Sequence, residues 1–408
     1  MANPIAVKKT VFQDIKERSE KYLLGNYTKY DVAFKYGVGE FLFDSENKKY
    51  IDFHSGISVT NLGHSEADII DALREQSDRI FHSTNLYYSD EASRLAEALI
   101  VNSFPGKVYF CNSGTEANEA AFKLARRYAV SKDIEKPIMI CMKQSFHGRT
   151  IASMSMTGQE KVREGFGELL SGFEYVNINN EKELIAAFDK HEGSVAGLIM
   201  ELIIGEGGII PATQSYVDLA RKLTEESDSL LIFDEIQTGM GRTGKLFCCE
   251  NYGVIPDAMT LGKALGSGFP IGALVISEDF ETVLGPGSHG STFGGNHLAT
   301  FVAFETLKII YGREILDNVN GISVFLFNRL KTLQTQYPII KEVRGVGLHI
   351  GVDFTIPSKT IAYDCLKEGL VVNATADTVI RLMPPLNIGI ERVDEAMNIF
   401  EKVIAKHS

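Results

Sequence analysis

The sequence predicts an α/β protein of two domains. The large one, residues 60–300, has a mainly parallel sheet covered by helices; the smaller α+β domain is built from both termini, residues 1–59 and 301–408. Three observations predict this. Apolar runs rich in strand formers alternate with amphipathic stretches through the middle of the chain, the pattern of strand–helix–strand units. The two ends carry hairpin and short-strand signals instead. At 408 residues, the chain also exceeds what one ordinary core organises.

Taken in order, residues 36–53 (YGVGEFLFDSENKKYIDF) read as a hairpin with a polar turn at 45–48. Strand-like runs follow at 107–111, 137–142, 195–200, 230–233 and 273–276. Helical stretches at 117–130, 182–191 and 214–227 lie between them. After about residue 300 come a long helical pattern, short strands within 343–354 and at 370–372, and a closing helix from Arg392. Ligands of such sheets bind beyond the carboxyl ends of the strands, so the residues just after each run carry the most weight.

Composition narrows the function. With 44% hydrophobic, 23% charged and 10% aromatic residues the chain is globular, and its net charge of −12 argues against a nucleic-acid partner or an anionic membrane surface. Residues 1–20 lack the apolar core of a secretory leader, and the greasiest stretch, 195–204, contains Gly197 and Glu201 and is too short to span a bilayer. Five cysteines are sparse and lack paired metal spacing, and the adjacent Cys248 and Cys249 read as packing residues. A reduced, cytoplasmic protein without a bound metal is expected.

Several segments carry chemistry. In SLLIFDEIQTG, residues 229–239, an apolar strand ends at Asp234. A buried aspartate there needs a cation or donor, which a protonated pyridine nitrogen supplies; a helix cap or a magnesium ligand fits equally well. In TLGKALGSGFPIGA, residues 260–273, Lys263 lies among small and apolar residues. Desolvation there lowers a lysine's pKa and suits it to imine formation with a carbonyl. In YFCNSGTEANEAAFKLARRYA, residues 109–129, Ser113 and Glu116 have capping-box spacing, while the turn through Gly114 and Thr115 also makes an anion site at a helix start. In SFHGRT, residues 145–150, Phe146 suits stacking on a flat ring and Arg149 suits a substrate carboxylate, with His147 in support. The loop GSHGSTFGGN, residues 287–296, offers the hydroxyls of Ser291 and Thr292 to a phosphate or a subunit interface. Arg381, set among apolar residues, needs an acidic partner, for which Glu201 and Glu206 in MELIIGEGG are the candidates.

In order and spacing, GTEANE, FHGRT, DEIQTGMGRTG, the lysine of TLGKAL and GSTFGGN resemble the class III, fold-type I aminotransferases from about residue 20 to the C-terminus. Each motif is weak alone, and the five in sequence are specific. The resemblance implies a seven-stranded type of sheet and pyridoxal 5′-phosphate as cofactor. It implies that Lys263 carries the cofactor, Asp234 pairs with its ring nitrogen, Gln237 bonds its phenolic oxygen, and Phe146 and Ile236 cover its two faces. Ser113, Gly114 and Thr115 would hold the phosphate, joined by Thr292 from a second subunit of a homodimer. Arg149 would bind the donor's remote carboxylate, and Arg381 the α-carboxylate of glutamate, with Glu206 neutralising it otherwise. Asn85, Ser291, Ser58 and Val59 would line the substrate end.

Within the family, VVNATADTVIRLMPPL and FHSTNLYYSDEASRLAEAL are most similar to the branch that takes N-acylated diamines, N2-acetylornithine or N-succinyldiaminopimelate, with 2-oxoglutarate as acceptor. That places the chain in arginine or lysine synthesis. The alternatives are ornithine, 4-aminobutyrate or a diamine as donor and, more remotely, a non-catalytic cofactor-binding regulator. An NAD enzyme is disfavoured, because no GxGxxG opens the first strand–helix unit.

Overall fold

The computed structural model describes residues 10–408; of the stretch read for a leader, the first nine residues lie outside the described residues. The N-terminal strands are β1 (Phe34–Val38), β2 (Phe41–Asp44) and β3 (Lys49–Asp52). Next come β4 (Gly106–Cys111), β5 (Ile138–Met142), β6 (Phe173–Val176), β7 (Val195–Met200), β8 (Ile203–Ile204), β9 (Ile210–Pro211), β10 (Leu230–Asp234), β11 (Ala258–Leu261) and β12 (Gly272–Ser277). The C-terminal strands are β13 (Ile340–Val346), β14 (His349–Phe354), β15 (Leu370–Val371), β16 (Asn373–Thr375) and β17 (Val379–Leu382).

The central sheet has seven strands in the order β4-β12-β11-β10-β7-β5-β6. Every residue of β7 and of β10 is buried, as expected of strands covered on both faces. All strands run parallel except β12, which pairs antiparallel with both β11 and β4. The chemistry of the connection explains this reversal. Residues 262–271 join β11 to β12 with a single 3-10 turn, Lys263–Gly266, too short a crossover to bring the chain back parallel.

The expected N-terminal hairpin is a three-stranded meander, β1-β2-β3, to which β15 adds in parallel. Its turn falls at residues 45–48, where the Asp44 carboxylate accepts the amides of Glu46 and Lys48, each at 2.9 Å. The long helical pattern is two helices, His297–Gly312 and Ile315–Gln336, and the closing helix is Ile390–His407. A second four-stranded sheet, β13-β14-β17-β16, completes the C-terminal part.

One buried guanidinium ties the parts together. Arg242, wholly inaccessible, donates to Ser58 Oγ at 3.1 Å, to the carbonyls of Leu348 at 3.1 Å and Pro384 at 2.6 Å, and to Asn61 Oδ1. Burial pulls its pKa down to about 9, opposed by the charge of Asp52. Among the described residues, no helix is long and apolar enough to cross a membrane.

Candidate active site

The functional side chains gather at the carboxyl ends of β4, β5, β7, β10 and β11, around a cavity of about 250 Å³. Asp234 closes β10 and is buried, so its carboxylate requires donors. Its Oδ2 receives His147 Nδ1 at 2.7 Å and Asn118 Nδ2 at 2.8 Å, and its Oδ1 the amide of Ile236 at 3.1 Å. Burial pushes this carboxyl up, but the contact with His147, reinforced by Asn118 and the Ile236 amide, outweighs it and holds Asp234 below the usual carboxylate range. With one amide bound, Oδ1 keeps acceptor capacity for a further N–H.

Lys263 follows β11 across Gly262 and takes a left-handed conformation, φ 44°, a strained backbone for a residue bearing a Cβ. Burial lowers its pKa; Glu206 and Asp234 oppose the shift and Arg381 adds to it, and the net result lies below the ordinary lysine value. The amine is thereby brought closer to its neutral, nucleophilic form.

The helix Gly114–Ser131 starts at the same cavity. Ser113 caps it, its hydroxyl accepting the Glu116 amide at 3.3 Å, and the start of such a helix, with amides free of intrahelical partners, suits an anion. Gly148 packs against this turn at φ +139°, where a Cβ would stand 2.0 Å from Thr115 Oγ1; at Gly114 a Cβ would stand 2.7 Å from Ile236 Cδ1. Both glycines are required by close packing around the cavity, Gly148 against Thr115 and Ser153 and Gly114 against Ile236. An acid for a ring nitrogen, a helix start for a phosphate, an activated amine for a carbonyl, and Ile236 and Phe146 as flat apolar surfaces match a phosphorylated pyridine aldehyde.

The cavity continues outward into a larger one of about 660 Å³, which shares Phe146, Glu206 and Lys263 and adds Arg149. Arg149 lies with its guanidinium 5.5 Å from the Phe146 ring centroid and forms no ion pair among the described residues. Arg381 is different. It is fully buried, donates to Glu206 at 2.7 Å, to Gln237 Oε1 at 3.2 Å and to Asn373 Oδ1 through Nε at 3.1 Å and Nη2 at 2.6 Å. Burial raises the Glu206 carboxyl, and Arg381 more than compensates, leaving it below its ordinary value. Glu206 is delivered by the turn between β8 and β9, whose backbone is gripped by Thr375 and Arg344 of the C-terminal sheet.

Some expectations need correction. Glu201 is not a partner of Arg381: its carboxylate accepts the amides of Phe146 at 2.8 Å and Gly205 at 2.9 Å, anchoring the segments that carry Phe146 and Glu206. Burial pushes its pKa up to about 7, with His147 opposing and Asp234 adding to the shift. Val59 and Ser58 do not line either cavity; Ile57 does, and Ser58 bonds Asn61 and the Gln237 carbonyl instead. Asn85, Ser291 and Thr292 line neither of these two cavities. Asn85 Nδ2 donates to the carbonyls of Ser291 at 3.2 Å and Gly294 at 2.8 Å, and Ser291 Oγ accepts from Asn112 at 3.1 Å.

Asn118, Asn373 and His349 were not singled out from the sequence. Asn118 had a signal, a polar residue on the buried face of its helix; Asn373 had none, since it meets Arg381 only through the register of β16 against β17.

A family model described as aminotransferase class-III matches residues 25–404. The acetylornithine aminotransferase of Caldanaerobacter subterraneus subsp. tengcongensis is 43% identical over 389 residues, covering 95% of this chain and 98% of that protein. A succinylornithine transaminase/acetylornithine aminotransferase of Pseudomonas aeruginosa is 40% identical, covering 95% and 96%. Among solved structures, ornithine aminotransferase from Toxoplasma gondii superposes with a TM-score of 0.94 at 31% identity, covering 98% of this chain and 95% of that one.

Proposed function

Because the chain belongs to the class-III aminotransferase family, we propose that it transfers the terminal amine of N2-acetylornithine to 2-oxoglutarate, giving N-acetylglutamate 5-semialdehyde and glutamate. It is a pyridoxal-phosphate-dependent transaminase. We include in the proposal a cytoplasmic homodimer, a division into residues 60–300 and the two terminal segments, and N-succinyldiaminopimelate as a further donor. The dimer is supported by Leu86, Tyr87 and Tyr88, which are largely exposed, and by Thr292, which does not line the cavity of its own chain.

The observation that carries the reading is the contrast between two guanidiniums: Arg381 is paired with Glu206 at 2.7 Å, and Arg149 has no ion-pair partner among the described residues. A donor with one carboxylate uses Arg149 and leaves the pair closed. A dicarboxylate acceptor needs Arg381 as well, and the solvent-accessible side of Glu206 lets that pair open. Bound pyridoxal phosphate supplies an electrophilic carbonyl and a protonated ring that accepts electron density from the carbon bearing the amine. Lys263 Nζ takes the proton from that carbon and returns it, a task suited to an amine whose pKa burial has lowered. Asp234, kept charged, would hold the ring N–H, Gln237 would hold the ring oxygen, and the first turn of Gly114–Ser131 would hold the phosphate.

Arg381→Ala should slow the glutamate/2-oxoglutarate half-reaction by roughly 100-fold, the worth of a charge-assisted contact, and the acetylornithine half-reaction far less. Single-turnover rates with each substrate check this; equal losses would refute the gate. Gly148→Ala should weaken pyridoxal-phosphate affinity and cost about 1–3 kcal/mol of stability through its positive φ and the Thr115 contact. Equilibrium cofactor titration and thermal unfolding read both effects, and an unchanged affinity would remove the loop from the phosphate site. The likeness to ornithine aminotransferase favours free ornithine as a second reading, and kcat/KM for ornithine against N2-acetylornithine decides between them.

A further inference from the structure

We propose that His349 is a positioning residue that locks the side-chain amide of Gln237 in one orientation, keeping it serviceable while Arg381 is engaged elsewhere. This rests on the transaminase reading above.

The geometry assigns the atoms. Arginine has no acceptor, so the Gln237 atom that faces Arg381 Nη1 at 3.2 Å is the carbonyl Oε1. His349 Nε2 lies 2.8 Å from the same oxygen and must therefore be the protonated ring nitrogen. Both lone pairs of Oε1 are then filled, and the NH₂ end is turned towards Glu206, which it helps to keep charged. One donor of that end remains for the cofactor ring.

As a purely structural element His349 is a poor choice. It opens β14 completely buried, and its Nδ1 is a buried atom without a hydrogen-bond partner among the described residues. Leaving that group unsatisfied is costly, and Oε1 already has a donor in Arg381. Burial, with the charges of Arg381, Arg242 and Lys263 around it, holds the imidazole neutral. What the second donor adds is independence from Arg381. When a dicarboxylate draws Arg381 away, Gln237 loses that bond and is free to rotate unless His349 holds it. His349 sits one residue before Ile350, which pairs with Leu382 next to Arg381, so it is fixed to the gate's own sheet without being part of the gate.

The test uses the holoenzyme and follows the visible cofactor band against pH in His349→Leu, His349→Gln, Gln237→Ala and the double variant His349→Leu/Gln237→Ala. His349→Leu and Gln237→Ala should displace the titration midpoint in the same direction by roughly 0.5 to 1 pH unit, the size of one hydrogen bond. The double variant should move no further than Gln237→Ala alone, and His349→Gln, which restores a donor at the same reach, should return towards the unsubstituted midpoint. His349→Leu should also slow the 2-oxoglutarate half-reaction more than the acetylornithine one. If His349→Leu does not fold, His349→Asn, polar but too short to reach Oε1, takes its place. An unmoved midpoint with altered thermal stability alone, or shifts that add in the double variant, would overturn the role. An unsubstituted protein that takes up no pyridoxal phosphate would overturn the transaminase reading and this role together, a result distinct from unresponsive variants.

Discussion

Replacing Lys263 with alanine is expected to leave the fold in place and to remove nearly all turnover, a loss on the order of 10⁴-fold or more. Two proposed contributions would vanish together: covalent retention of the cofactor and the proton shuttle at Nζ. No water placed by chance replaces an amine held at the end of β11 in a strained backbone with its pKa lowered by burial. Stability should change little. Alanine tolerates the φ of 44° no worse than lysine does, and the buried amine carries a desolvation cost that alanine does not. Single-turnover kinetics with N2-acetylornithine, alongside a thermal melt, provide the check. Activity within tenfold of the unsubstituted protein would remove Lys263 from the chemistry.

The second large effect is expected at Asp234. Asp234→Asn keeps the size of the side chain and one acceptor oxygen, but it would remove the charge proposed to hold the ring N–H and set an NH₂ against either the Ile236 amide or the His147 and Asn118 donors. Cofactor affinity should fall by roughly 10- to 100-fold, matching a charge-assisted bond of about 1.5–3 kcal/mol, and turnover by more, because the ring no longer stays protonated. Asp234→Ala should be worse for the fold itself, since it orphans His147 Nδ1 and Asn118 Nδ2, both buried on Oδ2. Equilibrium titration with pyridoxal phosphate and steady-state rates test this, and near-normal turnover in Asp234→Asn would contradict the assigned role.

Much of this architecture was legible because central strands buried on both faces announce themselves as unbroken apolar runs. VAGLIM and LLIFD are wholly buried, and both appeared as strands in the sequence. The edge strand Phe173–Val176 and the strand Ala258–Leu261 were not legible, because Glu174 and Thr260 interrupt their short apolar runs. The reversal of β12 was not legible either, because it follows from the length of the β11–β12 connection, and a run of apolar residues carries no direction. At the site, the candidate residues at strand ends were visible through their local motifs. Lys263, Asp234, Thr115 and Phe146 stand in distinctive short segments and line one cavity.

Pairings across long separations were harder. Arg381 demanded an acidic partner, but only the turn between β8 and β9 decides that Glu206 reaches it while Glu201 turns back to the Phe146 and Gly205 amides. His349 carried no signal at all. A histidine in an apolar strand looks like an ordinary core residue until the register of β14 against β17 sets it beside Gln237.

The most direct test of the account is the absorption spectrum of the purified protein near neutral pH, recorded before and after N2-acetylornithine and then 2-oxoglutarate. The account predicts a visible-edge band from pyridoxal phosphate bound at Lys263, which falls when the amine donor is added and returns with the keto acid. A band that ignores N2-acetylornithine but answers ornithine would contradict the donor. The absence of any band after incubation with pyridoxal phosphate would contradict the account at its centre.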